Sequence, residues 1–243
     1  MTYIDGFVIA VPTANKDKFI AHANHGDTMF IDFGATKVVE CWGDDVPDGT
    51  VTDFRKAVQA KDDESIVFSW IEWPDKSTRD AGMARMMDPE NPDPRMDPAK
   101  HPMPFDGKRM IYGGFEPMVD ARGSGALGYV DGFVAPVTPD KKSEYLAMAQ
   151  KAGGKFVELG ALRSSENWGD DVPDGTVTDF KRSVKAQDGE TPVFSWIEWP
   201  DKATRDAGWA TMMADETMRP ETTPFDGKRM FWGGFKPVVT LGE

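Results

Sequence analysis

The sequence predicts an α+β protein in which two copies of one β-α-β-β-α-β unit pack sheet to sheet as a barrel within a single chain. Three observations support this prediction. Residues 42–54 recur without a change at residues 168–180, 126 positions later. Segments with the periodicity of strands and helices follow in the same order in both halves. Two helices cover only one face of each sheet, so we expect the other face to be buried against the second copy.

Other repeated segments place the limits of the two copies. Residues 68–76 recur at residues 194–202 with the same offset, whereas residues 104–110 recur at residues 224–230, only 120 positions later. The first copy therefore carries six extra residues ahead of Pro104. We predict a first repeat over residues 1–120, a linker over residues 121–128 and a second repeat over residues 129–243.

Periodicity and turn-forming residues predict the elements of the first copy. Residues 3–11 are rich in aromatic and β-branched residues and stop at Pro12, which is typical of a strand. Residues 16–33 carry phenylalanines at roughly helical spacing and precede Gly34, where a C-terminal cap is expected. The remaining elements are predicted as a strand at 36–42, a helix or irregular strand at 52–60, a strand at 66–73, a helix at 76–87, an extended mobile loop at 89–104 and a strand at 109–117.

The second copy repeats these elements in the same order. Its first helix is predicted at residues 140–159, and the loop at residues 215–223 is shorter than its counterpart in the first copy.

Composition limits the classes of partner. The chain carries 28 basic and 41 acidic residues, a net charge of −13, and no basic run that could bind a phosphate backbone. A field of this sign repels nucleic acid, so we expect no nucleic-acid partner. The apolar fraction of 40% is sufficient for a packed core.

The termini and the cysteine count bear on location. Cys41 is the single cysteine, so no disulfide forms within the chain, and this is typical of a reducing compartment. The chain starts on a strand-like run without the features of a signal peptide, and no apolar run is long enough to span a membrane. We therefore expect a cytoplasmic protein without a membrane partner, acting as a fused pseudo-dimer; a higher oligomer stays open.

Five motifs carry a resemblance to a known family, and they are Asp5-Gly-Phe, Glu40-Cys-Trp, Asp44-Asp-Val-Pro-Asp-Gly, Phe68-Ser-Trp-Ile-Glu and Pro104-Phe-Asp-Gly-Lys-Arg-Met. In these motifs, and over nearly all of both copies, the chain resembles the YbaA-like family of bacterial proteins, a domain of unknown function. The resemblance implies ferredoxin-like units that pair as a dimeric α+β barrel, here fused in one chain. That superfamily includes cofactor-free monooxygenases, lactone isomerases, haem-dependent enzymes and ligand-binding proteins, so the resemblance implies no single activity.

Carboxylates inside otherwise apolar strands are the candidate catalytic residues, and they are Asp5, Glu72, Asp131 and Glu198. A ferredoxin-like strand order of 4-1-3-2 places the strands of Asp5 and Glu72 side by side. Arg109 begins the strand on the far side of Asp5, and we expect it to pair with one of these carboxylates, because a buried carboxylate without a partner is costly. If two carboxylates share a site, one pKa rises and that group can exchange protons near neutral pH. A purely structural ion pair is the alternative.

Aromatic and basic side chains are the candidate substrate-binding set, and they are Trp42, Trp70, Arg109, Tyr112, Trp168, Trp196, Arg229 and Trp232. In the functional interpretation, Trp42, Trp70 and Tyr112 frame a pocket that receives a flat ligand. In the alternative interpretation, the tryptophans pack in the core.

We predict no metal site. His22 and His25 lie at i and i+3 on a helix, but the sequence shows no third ligand, and His101 in the loop at 89–104 is expected to be solvated. The acidic loop after Trp42 lacks the spacing of a calcium-binding loop and is explained by turn chemistry. Cys41 has no base placed to activate it and is expected to pack within its strand.

Three hypotheses of function follow. The first is an enzyme that acts on a small molecule inside the barrel without a cofactor and transfers a proton through Asp5 or Glu72. The second is a ligand-binding or structural protein in which the same residues form ion pairs. The third, a haem or metal protein, would be recognised by metal analysis.

Overall fold

Eight strands form one closed antiparallel barrel with helices on its outside. The computed structural model describes residues 2–219 and 222–242. The strands of the first half are β1 (Tyr3–Pro12), β2 (Lys37–Asp45), β3 (Glu64–Trp73) and β4 (Ile111–Arg122). Those of the second half are β5 (Tyr129–Val137), β6 (Arg163–Asp171), β7 (Thr191–Trp199) and β8 (Phe231–Gly242). The helices are α1 (Lys16–Gly26), α2 (Thr28–Asp32), α3 (Phe54–Ala57), α4 (Lys76–Met86), α5 (Lys142–Glu158), α6 (Phe180–Ser183) and α7 (Lys202–Ala214).

The two halves join through the edges of their sheets. Around the barrel the strands follow the order β1, β3, β2, β8, β5, β7, β6 and β4, so β2 pairs with β8 and β4 pairs with β6. Within each half the order is the predicted 4-1-3-2. The predicted barrel is confirmed, and its closure comes from hydrogen bonds between edge strands as well as from side chains that meet inside.

Several helices start where the sequence offers a capping carboxylate. Asp53 accepts a hydrogen bond from the backbone N–H of Lys56, so the ambiguous segment at 52–60 forms the short helix α3. Asp75 caps α4 in the same way through Thr78. Gly34 has a φ of +105°, in the left-handed region expected of a glycine that follows a helix.

Three predicted elements differ from the structure. The single helix expected at 16–33 is two helices, α1 and α2, which meet at Asp27. The last strand of the first half begins at Ile111, because residues 107–109 form a 3-10 turn. The loop at 89–104 contains another 3-10 turn at Pro94–Met96.

The barrel interior is a solid aromatic core. Phe68 of the first half stacks on Phe194 of the second, with ring centroids 4.6 Å apart, and Trp70 stacks on Trp196 at the same distance. All four side chains are fully buried. Gly6 makes room for this contact, because a Cβ at that position would lie 2.8 Å from the Phe194 ring. Small barrels of eight strands are filled in this way by side chains.

No helix within the described ranges has both the length and the apolarity that crossing a membrane requires.

Candidate functional site

The predicted carboxylates lie on opposite faces of the sheet. Glu72 follows Phe68 and Trp70 on the inward face of β3, at one end of the barrel. Asp5 is on the outward face of β1, since its neighbour Ile4 faces the interior. It contacts Arg79 on helix α4. Asp5 and Glu72 therefore do not share one site.

Asp5 is held in a buried ion pair beneath α4. Arg79 lies 2.8 Å from its carboxylate, and the Trp73 indole N–H donates to it at 2.8 Å. Burial raises the pKa of Asp5, and the guanidinium of Arg79 opposes that rise. Arg79 also reaches Asp171 of the second half at 2.7 Å. These contacts link a strand, a helix and the opposite half of the chain.

Asp131 repeats this arrangement in the second half. Arg205 lies 2.7 Å from its carboxylate, and the indole N–H groups of Trp199 and Trp209 both donate to it, at 3.0 and 2.8 Å. Both aspartates thus have complete sets of partners.

The expected pairing of Arg109 with Asp5 or Glu72 is wrong. The Arg109 guanidinium binds Glu64 at 2.6 Å and Asp106 at 3.0 Å, because Arg109 lies in the turn before β4 rather than in the strand. Arg229 in the second half binds Glu190 at 2.7 Å in the same manner. Both arginines lie in turns that precede the last strand of their half.

Glu72 and Glu198 meet at one end of the barrel around Arg163. The Arg163 guanidinium lies 2.6 Å from Glu72 and 3.6 Å from Glu198, and each glutamate also accepts an indole N–H, from Trp70 and Trp196 respectively. Lys37 and Arg163 occupy equivalent positions in the two halves, and both line a small cleft of about 180 Å³ together with Glu198. Four predicted residues are therefore brought together here with an arginine that the sequence analysis did not select, and they are Glu72, Glu198, Trp70 and Trp196.

The predicted aromatic pocket does not form. Trp42 packs outside the barrel against Phe19, Trp70 lies inside it, and Tyr112 is 47% exposed and stacks on Phe7. The second half repeats this separation: Trp168 lies in an outer apolar cluster, Trp196 in the interior, and Trp232 at the surface under Arg205. These side chains lie on different sides of the sheet, inside or outside the barrel, because neighbouring residues of a strand alternate between its two faces.

A second polar group lies between the sheet and the helices of the first half. Glu40 on β2 stands opposite Ser69 on β3, and the Ser69 hydroxyl donates to the Glu40 carboxylate. The neighbouring outward-facing pairs are apolar: Val38 lies opposite Ile71, and Trp42 lies opposite Val67. Glu40 and Ser69 thus form a buried polar band between two apolar clusters.

Asp27 completes this group from the helical layer. It lies at the break between α1 and α2, its carboxyl oxygen Oδ2 has no hydrogen-bond donor among the described residues, and its side chain lies within hydrogen-bonding reach of Glu40. Burial raises the pKa of Asp27 to about 7 and raises the pKa of Glu40 well above its usual range, with the neighbouring carboxylate adding to the effect on Glu40. Two carboxylates this close share a proton rather than ionise together.

The second half replaces this carboxyl pair with a neutral partner. Glu166 and Ser195 repeat Glu40 and Ser69, but Gly153 stands at the position of Asp27. Tyr145, at the position of Phe19, donates its hydroxyl to Glu166 at 2.6 Å. Burial raises the pKa of Glu166, and the hydrogen bonds from Ser195 and Tyr145 oppose the rise. Only the first half therefore places two carboxyl groups together.

Sequence reasoning missed Asp27 and Glu40, although part of the signal was present. Glu40 alternates with Val38 and Trp42, which marks it as a carboxylate on an apolar strand face in the same way as Glu72. The signal for Asp27 is the comparison of the halves, since an acidic residue stands where the other copy has Gly153.

Comparison with protein families finds one match, and it occurs twice. The model of a protein family of unknown function, DUF1428, matches residues 2–107 and again residues 128–227. A curated relative, the uncharacterized protein YbaA of Escherichia coli K12, is 55% identical over 120 residues, which are 49% of this chain and 99% of the relative. The relative of Shigella flexneri matches to the same extent.

Solved structures share the fold at low sequence identity. A "putative monooxygenase" of Fusobacterium nucleatum superposes with a TM-score of 0.58 at 9% identity, covering 100% of this chain and 94% of the other. An anthrone oxidase-like protein gives a TM-score of 0.54 at 13% identity, covering 99% and 92% of the two chains. Likeness at this level establishes a common α+β barrel fold.

Proposed function

Because this chain belongs, in both of its halves, to the DUF1428 family of unknown function, we propose its activity from the site itself: the first half binds a small organic molecule and transfers a proton through Asp27 and Glu40. The second half serves as its structural partner. The β-α-β-β-α-β order of each half supports describing it as a ferredoxin-like unit, so that one chain supplies what a dimer of single units would supply.

One observation carries the proposal. Among the described residues, half-buried Asp27, with its enclosed Oδ2 atom, and buried Glu40 have no cationic partner, whereas Asp5, Asp131 and Glu72 each have an arginine within 2.8 Å. A buried acid pair is costly to stability, and a pKa near 7 suits a group that accepts and returns a proton at neutral pH. The ion-paired aspartates lack this property.

The surroundings indicate the class of substrate. The polar band is flanked by two apolar clusters that contain Trp42, Phe19, Phe30 and Phe33. A flat apolar molecule with one acidic O–H or C–H group would match this mixture of aromatic contacts and a single proton acceptor. To reach Glu40, such a molecule requires the helical layer to separate from the sheet. The helix of the first half is interrupted at Asp27, whereas the corresponding helix α5 is continuous.

The names of the fold neighbours suggest a reaction of this kind. Removal of a proton from the methylene carbon of an anthrone gives a carbanion that can react with dioxygen. The carbon loses two hydrogens and gains one oxygen atom, the second oxygen leaves as water, and dioxygen is the only co-reactant. In this scheme the carboxylate of the pair takes the first proton and returns it to the departing oxygen.

The test is oxygen consumption with anthrone as the probe. We expect turnover by the unaltered protein and a loss of about 100-fold in kcat for Glu40→Gln, which keeps the hydrogen bond to Ser69 but cannot share a proton with Asp27. Glu166→Gln is the matched control, since it makes the same change in the half that lacks Asp27, and it should retain full activity. Equal activity of both variants would refute the role of Glu40.

A non-catalytic function is the second candidate, and the complete ion pairs of Asp5, Asp131 and Glu72 favour it. In that case anthrone should raise the melting temperature without oxygen uptake, and Glu40→Gln should abolish that increase.

A further inference from the structure

All three histidines of the chain line one cleft on the outer face of α1. His22 and His25 lie one turn apart on the helix, and His101 approaches from the loop at 89–104, with its ring centroid 4.2 Å from that of His25. His101, which the sequence predicts to be solvated, is half-buried and packs against the exposed His25. The cleft has a volume of about 480 Å³, which falls in the range of small-molecule sites.

The charge of the cleft is opposite to that of the protein. Lys18 and Lys100 line it together with the three histidines, and its lining contains no acidic residue, although the chain carries a net charge of −13. Asp97, in the same loop, lies 3.3 Å from Lys100 but outside the lining. Two lysines on one concave surface form a local positive field, which grows as the three histidines become protonated.

The wall of the cleft is held in place and partly apolar. The Asn15 amide donates to the carbonyl of Pro104 at 2.9 Å and fastens the loop to the start of the helix. Pro102, Met103 and Ala21 supply apolar surface between the basic groups. A ligand would therefore meet cationic groups and an apolar wall at the same time.

The second half keeps a basic residue, Lys151, at the position of His25 but differs at the other basic positions of the helix. Glu144 and Met148 stand at the positions of Lys18 and His22, and the corresponding loop is six residues shorter. The cleft is thus specific to the first half and depends on the longer loop.

We propose that this cleft binds a small organic anion that carries a phosphate or carboxylate group. Histidinium and lysine groups donate charge-assisted hydrogen bonds to such oxyanions, while the proline and methionine side chains contact the remainder of the molecule. A divalent metal is disfavoured by the two lysines, and the described residues contain no group of three metal-ligating side chains placed to hold one. The site is separate from Asp27 and Glu40, which lie on the opposite, sheet-facing side of the helical layer.

Protonation of the histidines couples binding to pH. Burial and the neighbouring His101 and His25 lower the pKa of His22, so this ring is neutral at neutral pH in the free protein. A bound anion reverses that effect, and binding should strengthen as the pH falls through the histidine range, from about 8 to about 5.5. The facing charged groups are Lys18 on the helix and Lys100 on the loop, with Asp97 beyond Lys100.

The test follows the three imidazole C–H signals by NMR during titration with phenyl phosphate, benzoate or inorganic phosphate. We expect phenyl phosphate or benzoate to shift all three signals saturably, and inorganic phosphate to bind more weakly because it cannot contact the apolar wall. A doubly substituted protein, Lys18→Glu with His22→Met, reproduces the residues of the second half and should bind about tenfold more weakly. Lys155→Glu on α5 makes the same charge change as Lys18→Glu at a distance and should leave the affinity unchanged.

Three results would overturn the proposal. They are the absence of saturable shifts with any of the anions, equal affinity of the doubly substituted protein and the control, and saturable shifts with Zn²⁺ where the anions give none. None of these results depends on oxygen uptake, so they separate this proposal from the activity proposed for Glu40.

Discussion

The carboxyl groups of Asp27 and Glu40 lie within hydrogen-bonding reach of each other although one residue belongs to the helical layer and the other to the sheet. In the second half, a tyrosine hydroxyl occupies this role and a glycine replaces the aspartate. The two halves can therefore be compared directly, since the first contains the acid pair and the second has Glu166 without a neighbouring aspartate.

The acid pair should make stability depend on pH. Both pKa values are raised in the folded protein, so between about pH 4 and about pH 7 the folded state holds protons that the unfolded chain releases, and the free energy of unfolding falls as the pH rises. Asp27→Asn removes the part of this dependence that comes from Asp27, while burial still raises the pKa of Glu40, and the variant should gain about 1–3 kcal/mol relative to the unaltered protein between about pH 5 and pH 8. Urea unfolding at several pH values measures the free energy of unfolding of each variant. Asp17→Asn, at an exposed position of α1, is the control. A difference that does not change with pH would contradict the shared proton.

The ion pair between Arg163 and Glu72 should stabilise the contact between the halves. Arg163→Met leaves the Glu72 carboxylate buried without its cation, and we expect a loss of about 3–5 kcal/mol in the free energy of unfolding. Lys37→Met makes a similar change at the equivalent position, where the side chain is half-exposed, and should cost less than about 1 kcal/mol. Denaturant unfolding compares the two, and similar losses would show that the barrel end does not depend on Arg163.

Gly6 should be required for closure of the barrel. A methyl group there would meet the Phe194 ring of the opposite half at 2.8 Å, so Gly6→Ala should lower the free energy of unfolding by about 1–3 kcal/mol. Gly154 lies in helix α5 with no atom within 4 Å of an added Cβ, and Gly154→Ala should raise stability by up to about 1 kcal/mol. Thermal unfolding of both variants checks the opposite signs. An unchanged melting temperature for Gly6→Ala would mean that the aromatic stack has room to move.

Cys41 should be inert while the protein is folded. It packs in the barrel interior with no exposed surface, and burial raises the pKa of its thiol well above the usual range. An aromatic disulfide reagent should therefore modify it only after addition of denaturant. Rapid modification of the native protein would show that strand β2 opens at the barrel wall.

The sequence was sufficient to predict much of the fold because the physical rules involved are local. Alternation along β3 placed Phe68, Trp70 and Glu72 on one face, and the duplicated sheet with an uncovered face required a partner. Both expectations agree with the structure, as does the strand order. The prediction of a ligand pocket between the sheets is wrong, because aromatic side chains of the two halves fill that space.

The partners of charged residues depend on packing that no single segment specifies. Arg79 reaches Asp5 from helix α4, which packs on the outside of the sheet, and Arg163 reaches Glu72 because β6 closes the barrel from the other half. Strand order and the cost of a buried carboxylate predict that Arg109 pairs with Asp5 or Glu72, but a turn holds it beside Glu64. The single helix predicted at residues 16–33 is interrupted in the structure, and Asp27 lies at the interruption, above the sheet.

The most direct test of the acid pair is the pH titration of carboxyl carbons by NMR in protein labelled with ¹³C at aspartate and glutamate side chains. We predict that one signal stays protonated to about pH 6 or above, that it disappears in Glu40→Gln, and that its pKa falls in Asp27→Asn because the neighbouring carboxyl group is lost, although burial still raises it. If every carboxyl signal titrates below about pH 5 in the unaltered protein, Asp27 and Glu40 share no proton and the proposed site is refuted.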